Sequence, residues 1–414
     1  MEKAHNLEDA INNLDPLRSL GRDDETFFVE REHSQRQEMA KRLRLMVRAG
    51  QGYARFLFTG HRGSGKGTEL NKMAKELEDI FLISHYSVAT KLDVSDLEYT
   101  DVVFSVGMAV LESVKHIPEI FNKIPDNLLE PIAKFYADIS QESSYQQKYE
   151  SGIEVKPSLL TILTGYARFG TERTSRKIVR ETLSGSLRAL ITAIDDLARY
   201  IERKSGKKIL VMVEDLDKAD KSKAEELFHG HGKSLSDIPV HLIYTFPIAL
   251  RHSQDFRQIL GVYFTSFDLP NIKTHTRTDQ PVLQSLECLY QIVKNRVSES
   301  LFAPGTLELL AEKSGGLIRS LISLTNEACL QALLKGRTQV RLEDVQVAVK
   351  EDLANSLRIL RKDQLDLLRE IRQQKSIDNT EPYQQLLYNL SVLEYRNDDP
   401  TPWYDVHPVL WDNL

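Results

Sequence analysis

The chain has 414 residues, which at roughly 150 residues per domain predicts two to four domains. Hydrophobic residues make up 41% and charged residues 28%, so collagen-like and long low-complexity segments are excluded. No run of 18 apolar residues occurs, and the first residues lack the basic-then-apolar pattern of a signal peptide, so we expect a cytoplasmic protein without membrane contact. Cys288 and Cys329 can form at most one disulfide and lack metal-ligand spacing.

The net charge of −6 argues against a chain that coats nucleic acid through bulk positive charge. This charge is unevenly distributed. Residues 351–414 contain 12 acidic and 7 basic residues, a net of −5, whereas the first 350 residues have a net of −1. Almost all of the acidity therefore belongs to the carboxy-terminal part.

A predicted strand and a predicted helix flank a glycine-rich loop. Tyr53–Thr59 is aromatic and apolar, and residues 71–77 have apolar side chains at helical spacing. The intervening GxxxxGK pattern is typical of a phosphate-binding loop (P-loop), whose amides turn toward the phosphates and whose lysine, Lys66, reaches the β and γ phosphates of ATP. A plain surface turn is the disfavoured alternative. We expect ATP to be bound by Gly60, Arg62, Gly63, Ser64, Gly65, Lys66, Gly67 and Thr68.

The position after the P-loop lysine departs from the usual pattern. This position is commonly Ser or Thr, whose hydroxyl binds Mg²⁺, but here it is Gly67, and Thr68 lies about 100° further round the helix. The loop is similar to the GKGT form of adenylate kinases, which leave the metal mostly to water and substrate. Direct hydroxyl ligation of Mg²⁺ is therefore doubtful, although Thr68 stays a candidate ligand.

A second motif ends a buried strand. The run Ile209–Val213 is wholly apolar and predicts a parallel strand, which is followed by Glu214, Asp215 and Asp217. Carboxylates at the carboxyl end of such a strand lie where α/β sheets bind ligands, and Mg²⁺ prefers oxygen ligands. The segment resembles a Walker B motif, in which Glu214 takes the metal-side position, usually Asp, and Asp215 the position of the base that orients water. A solvated acidic turn is the alternative.

A third predicted strand, Val240–Pro247, carries a late polar residue. Thr245 is placed where a sensor side chain would meet the γ-phosphate or the attacking water, although a Thr near a strand end is often a turn residue. Arg251 and Arg257 follow this strand. They are candidates for an arginine finger that reaches a neighbouring subunit's nucleotide, with ordinary surface arginines as the alternative.

A helical region follows, from about Ile272 to Lys350. Within it, Gly315 and Gly316 interrupt one helix before the next begins, and Arg319 falls in the first turn of that next helix. The arrangement resembles the lid of AAA+ ATPases of the origin-recognition and STAND-like group, in which this arginine is sensor 2. An arginine paired with a neighbouring carboxylate is the alternative.

The carboxy-terminal module reads as helices followed by a β-hairpin. Ser356–Arg372 and Pro382–Leu390 are amphipathic, and the segments 391–397 and 403–406 flank a turn that contains Asp398 and Asp399. This resembles the winged helix that follows the lid in origin-recognition-type ATPases, where it binds duplex DNA. Here the helix expected to enter the groove, residues 381–390, contains no Lys or Arg, so we expect a protein partner and disfavour nucleic acid.

The resemblance implies an α/β fold, with a P-loop NTPase core of the AAA+ type and a parallel sheet, a helical lid and a winged helix. The corresponding boundaries are residues 1–52 for an extension and linker helix, 53–270 for the core, 271–350 for the lid and 351–414 for the winged helix. Residues 100–203 are harder to assign. A basic stripe there, formed by Arg173, Arg176, Lys177 and Arg180, reads as a solvated face or, less favoured, as a contact for phosphates or an acidic partner.

The predicted function is an ATP-binding switch with Mg²⁺ as the cofactor. Lys66 and the loop amides hold the triphosphate, Glu214 and Asp215 manage metal and water, and Thr245 and Arg319 sense the γ-phosphate. Since both departures, Gly67 and Glu214, fall on the metal site, we expect slow hydrolysis. The resemblance implies a homo-oligomer or a separate protein effector, as in bacterial antiviral defence. The alternatives are a DNA-loading or transposition-regulating ATPase and a nucleotide kinase.

Overall fold

A five-stranded parallel sheet forms the centre of the molecule. The structure is a computed structural model that describes residues 2–22, 24–31, 35–140, 157–263, 265–396 and 401–414. The order across the sheet is β2–β3–β4–β1–β5, so the P-loop strand β1 lies between β4 and β5. The strands are β1 (Arg55–Gly60), β2 (Phe81–Ser87), β3 (Lys208–Glu214), β4 (His241–Pro247) and β5 (Thr265–Asp268).

Both faces of the sheet are covered by helices, and alternate strand residues point to opposite faces. In β1, Phe56 and Phe58 pack with the helices at Arg36–Arg48 and Lys66–Leu77, whereas Leu57 packs in the larger core on the other face. The helices of the amino-terminal segment and the core are α1 (Leu7–Asn13), α2 (Arg36–Arg48), α3 (Lys66–Leu77), α4 (Tyr99–Glu112), α5 (Pro118–Phe121), α6 (Asp126–Ser140), α7 (Pro157–Thr171), α8 (Arg173–Ser205), α9 (Lys221–Glu225), α10 (Gly232–Ser236), α11 (Ile248–Arg251) and α12 (Phe256–Val262).

The basic stripe of α8 is largely neutralised within the chain. Arg180 forms ion pairs with Glu98 and with the buried Asp101, the latter at 2.5 Å, while Arg173 and Arg176 pair with Asp93 and Asp96 at 3.1 and 3.6 Å. These acidic residues lie at and before the start of α4. These ion pairs therefore hold the amino-terminal part of α8 against the start of α4, and the three arginines are engaged within the chain.

The lid is a four-helix unit that also incorporates the start of the chain. Leu7, Ala10 and Leu14 are buried in the lid core, and the Asn326 side-chain amide donates to the carbonyl oxygens of Ile11 and Leu14 at 2.8 and 3.1 Å. The lid helices are α13 (Leu283–Arg296), α14 (Thr306–Lys313), α15 (Ile318–Leu334) and α16 (Leu342–Arg358). The last of these helices crosses the predicted boundary between residues 350 and 351.

The carboxy-terminal module has two further helices and an antiparallel hairpin, α17 (Lys362–Gln374), α18 (Glu381–Tyr388), β6 (Val392–Arg396) and β7 (Pro402–Val406). The predicted helix Ser356–Arg372 is divided, because α16 ends at Arg358 and Arg361 caps a new helix, with the Gln364 side chain accepting from its backbone N–H at 3.0 Å. The predicted hairpin turn at 397–400 lies outside the described residues.

Two observations complete the description. Cys288 and Cys329 form no disulfide within the described residues, and burial raises the pKa of Cys329 to about 12. Of the helices in the described part of the chain, none combines the length and the apolar character needed to cross a membrane.

Candidate functional site

The P-loop connects β1 to α3 and holds Lys66 in a buried position. The Lys66 ammonium donates to the carbonyl oxygens of Gly60 and His61, each at 2.9 Å, and forms an ion pair with Asp217 at 2.9 Å. Gly63 and Gly65 have positive φ angles of 80° and 96°, which favour glycine. The loop thus has the strand, turn and helix that the motif predicts.

Asp217 is the counter-charge of Lys66 in this structure. Both side chains are only 6% exposed. Burial alone would raise the pKa of Asp217, but Lys66, Thr245 and Arg62 together hold it below its ordinary value. The Thr245 hydroxyl contributes to this lowering although it makes no hydrogen bond of normal geometry to a described residue. The carboxylate that pairs with the P-loop lysine is therefore Asp217, the last of the three acidic residues that follow the strand β3.

Glu214 lies directly over the start of α3. Its carboxylate lies 3.1 Å from the Nε2 atom of His85, and the other ring nitrogen of His85 lies 2.9 Å from the side-chain oxygen of Asn71. A Cβ atom added to Gly67 would lie 2.0 Å from a Glu214 carboxylate oxygen. The carboxylate thus occupies the space in which a side chain at position 67 would begin.

Asp215 is held away from Lys66 by its own partners. It accepts from the Ser87 hydroxyl at 2.5 Å and forms an ion pair with Lys218 at 2.8 Å. Its φ angle of 71° is unusual for a residue other than glycine and marks local backbone strain beside the site. The residue expected to orient water is therefore engaged at the ends of β2 and β3.

Three hydroxyls near the loop differ in their bonding. The Thr245 and Ser64 hydroxyls are buried and make no hydrogen bond to any residue that the structure describes. The Thr68 hydroxyl instead accepts from the backbone N–H of Leu20 at 3.3 Å. Thr68 therefore helps to position the amino-terminal segment, and its role as a metal ligand stays a prediction.

A pocket lies between the P-loop, the lid and the amino-terminal segment. Its cationic wall is formed by Arg18, Arg296 and Arg319. The backbone N–H of Arg319 donates to the carbonyl oxygen of Gly63 at 3.0 Å, and its guanidinium donates to the carbonyl of Pro16 at 3.2 Å. The lid arginine thus contacts the P-loop itself, and its guanidinium bonds to a backbone carbonyl where the alternative expected a neighbouring carboxylate.

The residues present fit a nucleoside triphosphate with Mg²⁺. A cationic pocket adjoins glycines at which no side chain has room, since a Cβ on Gly63 would lie 2.6 Å from the Cβ of Arg319. The buried hydroxyl of Thr245 is left for a ligand or water. Glu214 supplies the hard oxygen that Mg²⁺ prefers, and the metal would neutralise charge on the phosphates when bound.

Arg251 and Arg257 differ in their surroundings. Arg251 forms an ion pair with Asp268, which also pairs with Arg396 of the hairpin at 2.8 Å. Arg257 is exposed on α12. The arginine-finger prediction is untested for both, and Arg251 would have to leave Asp268 to serve as one.

Two P-loop side chains contact the winged helix. The Nε2 atom of His61 accepts from the backbone N–H of Glu394 at 2.7 Å, and the Arg62 guanidinium lies 4.0 Å over the ring of Tyr388. Burial lowers the pKa of His61 to about 3, so the ring is neutral and can accept. Sequence analysis named Asp217 among the three carboxylates after β3 without giving it a role of its own, and it gave no role to His61 or His85, because no spacing rule separates such residues from ordinary loop and strand residues.

No family model matches the chain, and no curated protein matches it. Among solved structures it is similar to Cdc6 from Pyrobaculum aerophilum, at 12% identity and a TM-score of 0.39, over 94% of this chain and 95% of that one. It is also similar to the ADP form of ORC2 from Aeropyrum pernix, at 14% and 0.45 over 97% and 94%. It is similar as well to Drosophila ORC bound to DNA, at 10% identity and a TM-score of 0.41, over 99% of this chain and 91% of that one. These values concern likeness of fold alone.

The fold predicted from the sequence is confirmed. The P-loop strand lies within an all-parallel sheet, and a helical lid and a helix-and-hairpin module follow it in the expected order. The α/β architecture with a parallel sheet, a helical lid and a carboxy-terminal helix-and-hairpin module is therefore the one that the sequence predicts.

Proposed function

We propose that this chain, which has the fold of the origin-recognition-type AAA+ ATPases, is an ATP-binding switch whose nucleotide state sets the position of its winged helix. The observation that carries the proposal is the direct contact between P-loop and winged helix. His61 accepts from the backbone of Glu394, and Arg62 stacks on Tyr388. A change in the loop is thus transmitted to the module without an intermediate domain.

A short series of contacts supports such transmission. Lys66 pairs with Asp217, whose carbonyl oxygen accepts from the Arg62 guanidinium at 3.1 Å. Arg62 also donates to the carbonyl of Lys218 at 3.1 Å. A triphosphate competes with Asp217 for Lys66, since both are anionic. When Asp217 is displaced, the segment that positions Arg62 loses its anchor, and the stacking of Arg62 on Tyr388 weakens.

The proposal includes slow hydrolysis. Asp215 is engaged by Ser87 and Lys218, and its side chain is one methylene shorter than the usual Glu. A water-orienting residue acts only when it reaches the attacking water, so bonds that hold the Asp215 carboxylate toward Ser87 and Lys218 disfavour the orientation needed for turnover. We expect ATP to persist on the protein for many minutes. A turnover typical of motor ATPases in the purified chain would contradict this part.

Hydrogen–deuterium exchange tests the switch. We expect ATP with Mg²⁺ to raise exchange in α18 and β6, because the module leaves its dock on the P-loop and the backbone N–H of Glu394 loses its acceptor. The Lys66→Ala variant is the control, and it should neither bind ATP nor change its exchange pattern.

Two outcomes contradict the assignment. Unchanged ATP affinity in Lys66→Ala would refute the nucleotide site. Identical exchange in α18 with and without ATP, in a wild-type chain that binds ATP, would refute the coupling to the winged helix.

The partner that we propose is a protein, a separate effector or a neighbouring subunit. In this conformation α18 is covered by the core, because Gln384 donates to the carbonyl of His252 at 2.9 Å and Tyr388 to that of Ala219 at 3.0 Å. Release of the module would expose this helix face, which has no Lys or Arg and whose carboxylate, Glu381, pairs with Lys221 here, so it suits a protein better than phosphates. The antiviral-defence role implied by the resemblance belongs to this proposal. Duplex DNA binding that weakens steeply with salt would favour the DNA-loading alternative instead.

A further inference from the structure

Gly67 has no conformational reason to be glycine. It lies in the first turn of α3, and its φ angle is outside the positive range that favours glycine. Glycine inside a helix costs up to about 1 kcal/mol relative to alanine. The group nearest to an added Cβ is the Glu214 carboxylate, whose oxygens would lie 2.0 and 2.9 Å from it, so a side chain at position 67 requires the carboxylate to move.

Glu214 is fixed in this place by a built support. The two ring nitrogens of His85 lie 3.1 Å from the Glu214 carboxylate and 2.9 Å from the side-chain oxygen of Asn71, and the Asn71 amide donates to the carbonyl of Leu20 at 2.9 Å. The support begins in α3 one turn after Gly67 and ends in the segment that lines the pocket. The position of the carboxylate is thus set by neighbouring elements and does not depend on its own rotamer alone.

We propose that Gly67 and Glu214 are a reciprocal pair, in which the Glu214 carboxylate replaces the P-loop hydroxyl as the oxygen ligand of the nucleotide-bound metal. This inference rests on the proposed nucleotide site. Glutamate is one methylene longer than the usual aspartate, so its carboxylate reaches the helix start, and glycine leaves room for it. The two departures from the usual motif compensate each other, because glycine leaves room for the longer side chain and the longer side chain supplies the oxygen that glycine lacks.

The pair has a measurable electrostatic consequence. A carboxylate beside the phosphate site repels a metal-free nucleotide and attracts one that carries a divalent cation. Nucleotide affinity should therefore depend strongly on the metal. The quantity to measure is the metal enhancement, defined as the affinity for a non-hydrolysable ATP analogue with Mn²⁺ divided by the affinity for the same analogue in EDTA.

Calorimetry on the full chain tests the inference. Glu214→Gln keeps the shape and removes the charge, so we expect it to lower the metal enhancement by about tenfold or more, at least as much as loss of an outer-shell partner. Gly67→Ser alone should also lower it, because the added side chain displaces the carboxylate. The double variant Gly67→Ser/Glu214→Asp restores the usual pairing and should recover the enhancement to within about threefold.

Gly67→Ala/Glu214→Asp is the matched control, because it fills the same space without a hydroxyl and should not recover the enhancement. Recovery in this control equal to that in the serine variant would overturn the ligand exchange. A Gly67→Ser variant indistinguishable from wild type would do so as well. If the wild-type chain fails to bind the analogue at all, the proposed function fails; normal binding with an unaltered enhancement in Glu214→Gln refutes the reciprocal pair alone.

Discussion

At the scale of single residues, Asp217 has a role that can be separated from that of its neighbours. It neutralises Lys66 while no triphosphate does so, and both side chains are buried. Removing one partner of a buried ion pair typically costs about 3–5 kcal/mol. We expect Asp217→Asn to lower the free energy of unfolding of the nucleotide-free chain by about 3 kcal/mol, and ATP to recover most of this loss by supplying negative charge.

Urea unfolding with and without ATP measures both parts of this prediction. Asp220→Asn is the control, because Asp220 is exposed and caps α9 by accepting from the N–H of Lys223, which asparagine does equally well. A stability loss in Asp217→Asn that ATP leaves unchanged would show that Asp217 acts only as a structural group.

The sequence predicts some of these residues better than others. Lys66 follows from the P-loop motif because its spacing from the glycines is tied to phosphate geometry. Asp217 could not be ranked above Glu214 or Asp215, since three carboxylates after a strand differ in direction only once the turn is formed. That turn depends on the positive φ angle of Asp215, which no spacing rule anticipates.

At the scale of the elements, Gly315 and Gly316, which precede α15, lie in close contact with segments outside the lid helices. A Cβ on Gly316 would lie 1.7 Å from the carbonyl oxygen of Ile272, and the φ angle of Gly316 is 79°. We expect Gly316→Ala to lower the free energy of unfolding by more than about 2 kcal/mol, through backbone strain and overlap together. It should also weaken ATP binding, because Arg319 follows three residues later.

Gly336→Ala separates the two contributions to this effect. Gly336 also has a positive φ angle, 66°, but nothing lies within 4 Å of an added Cβ, so only strain of about 1 kcal/mol is expected. Unfolding and ATP-binding measurements on both variants check the prediction. Equal losses of stability in Gly316→Ala and Gly336→Ala would show that steric overlap with Ile272 does not contribute.

The sequence predicts the strands that end in a recognisable motif and misses those that do not. The strands β1, β3 and β4 combine apolar runs with a motif at the end, and they occur close to the predicted residues. The strand β2 was missed because Ser84 and His85 interrupt its apolar pattern, and β5 because it has only four residues. Both are recognised by their pairing with β3 and β1, which is a tertiary property.

At the scale of the whole molecule, buried histidines make stability depend on pH. Burial lowers the pKa of His61 to about 3 and those of His241 and His407 to about 4, from an ordinary value of 6.5. The unfolded chain therefore binds more protons below pH 6.5, so the stability present above that pH is lost as pH falls toward the folded values. We expect the free energy of unfolding to fall by roughly 1 kcal/mol per histidine between pH 7.5 and 5.5.

His241→Gln isolates one of these contributions. The Nδ1 atom of His241 accepts from the backbone N–H of Ala54 at 3.1 Å, and a glutamine oxygen can accept in its place. The free energy of unfolding of this variant should depend less steeply on pH, because one group that takes up a proton on unfolding has been removed. His5→Gln, at an exposed position, is the control and should retain the wild-type slope. Equal slopes in all three proteins would contradict the prediction.

Assembly is the second property of the whole molecule that can be predicted. Sedimentation with and without ATP should show an ATP-dependent oligomer if an arginine finger acts between subunits. Arg251→Ala should then reduce hydrolysis only in the assembled form. Arg257→Ala distinguishes the two candidates, and an Arg251→Ala variant with normal hydrolysis in the oligomer would assign Arg251 to its pair with Asp268.

The packing of α1 against α15 has a consequence for the order in which these helices fold during synthesis. The Asn326 amide bonds to Ile11 across a sequence separation of 315 residues. At about 5–20 residues per second, synthesis of the intervening chain takes roughly 15–60 s, during which Leu7, Ala10 and Leu14 have no lid to pack on. The helix α1 therefore leaves the ribosome long before α15 can cover it, and for that interval its apolar face is exposed to solvent and to chaperones.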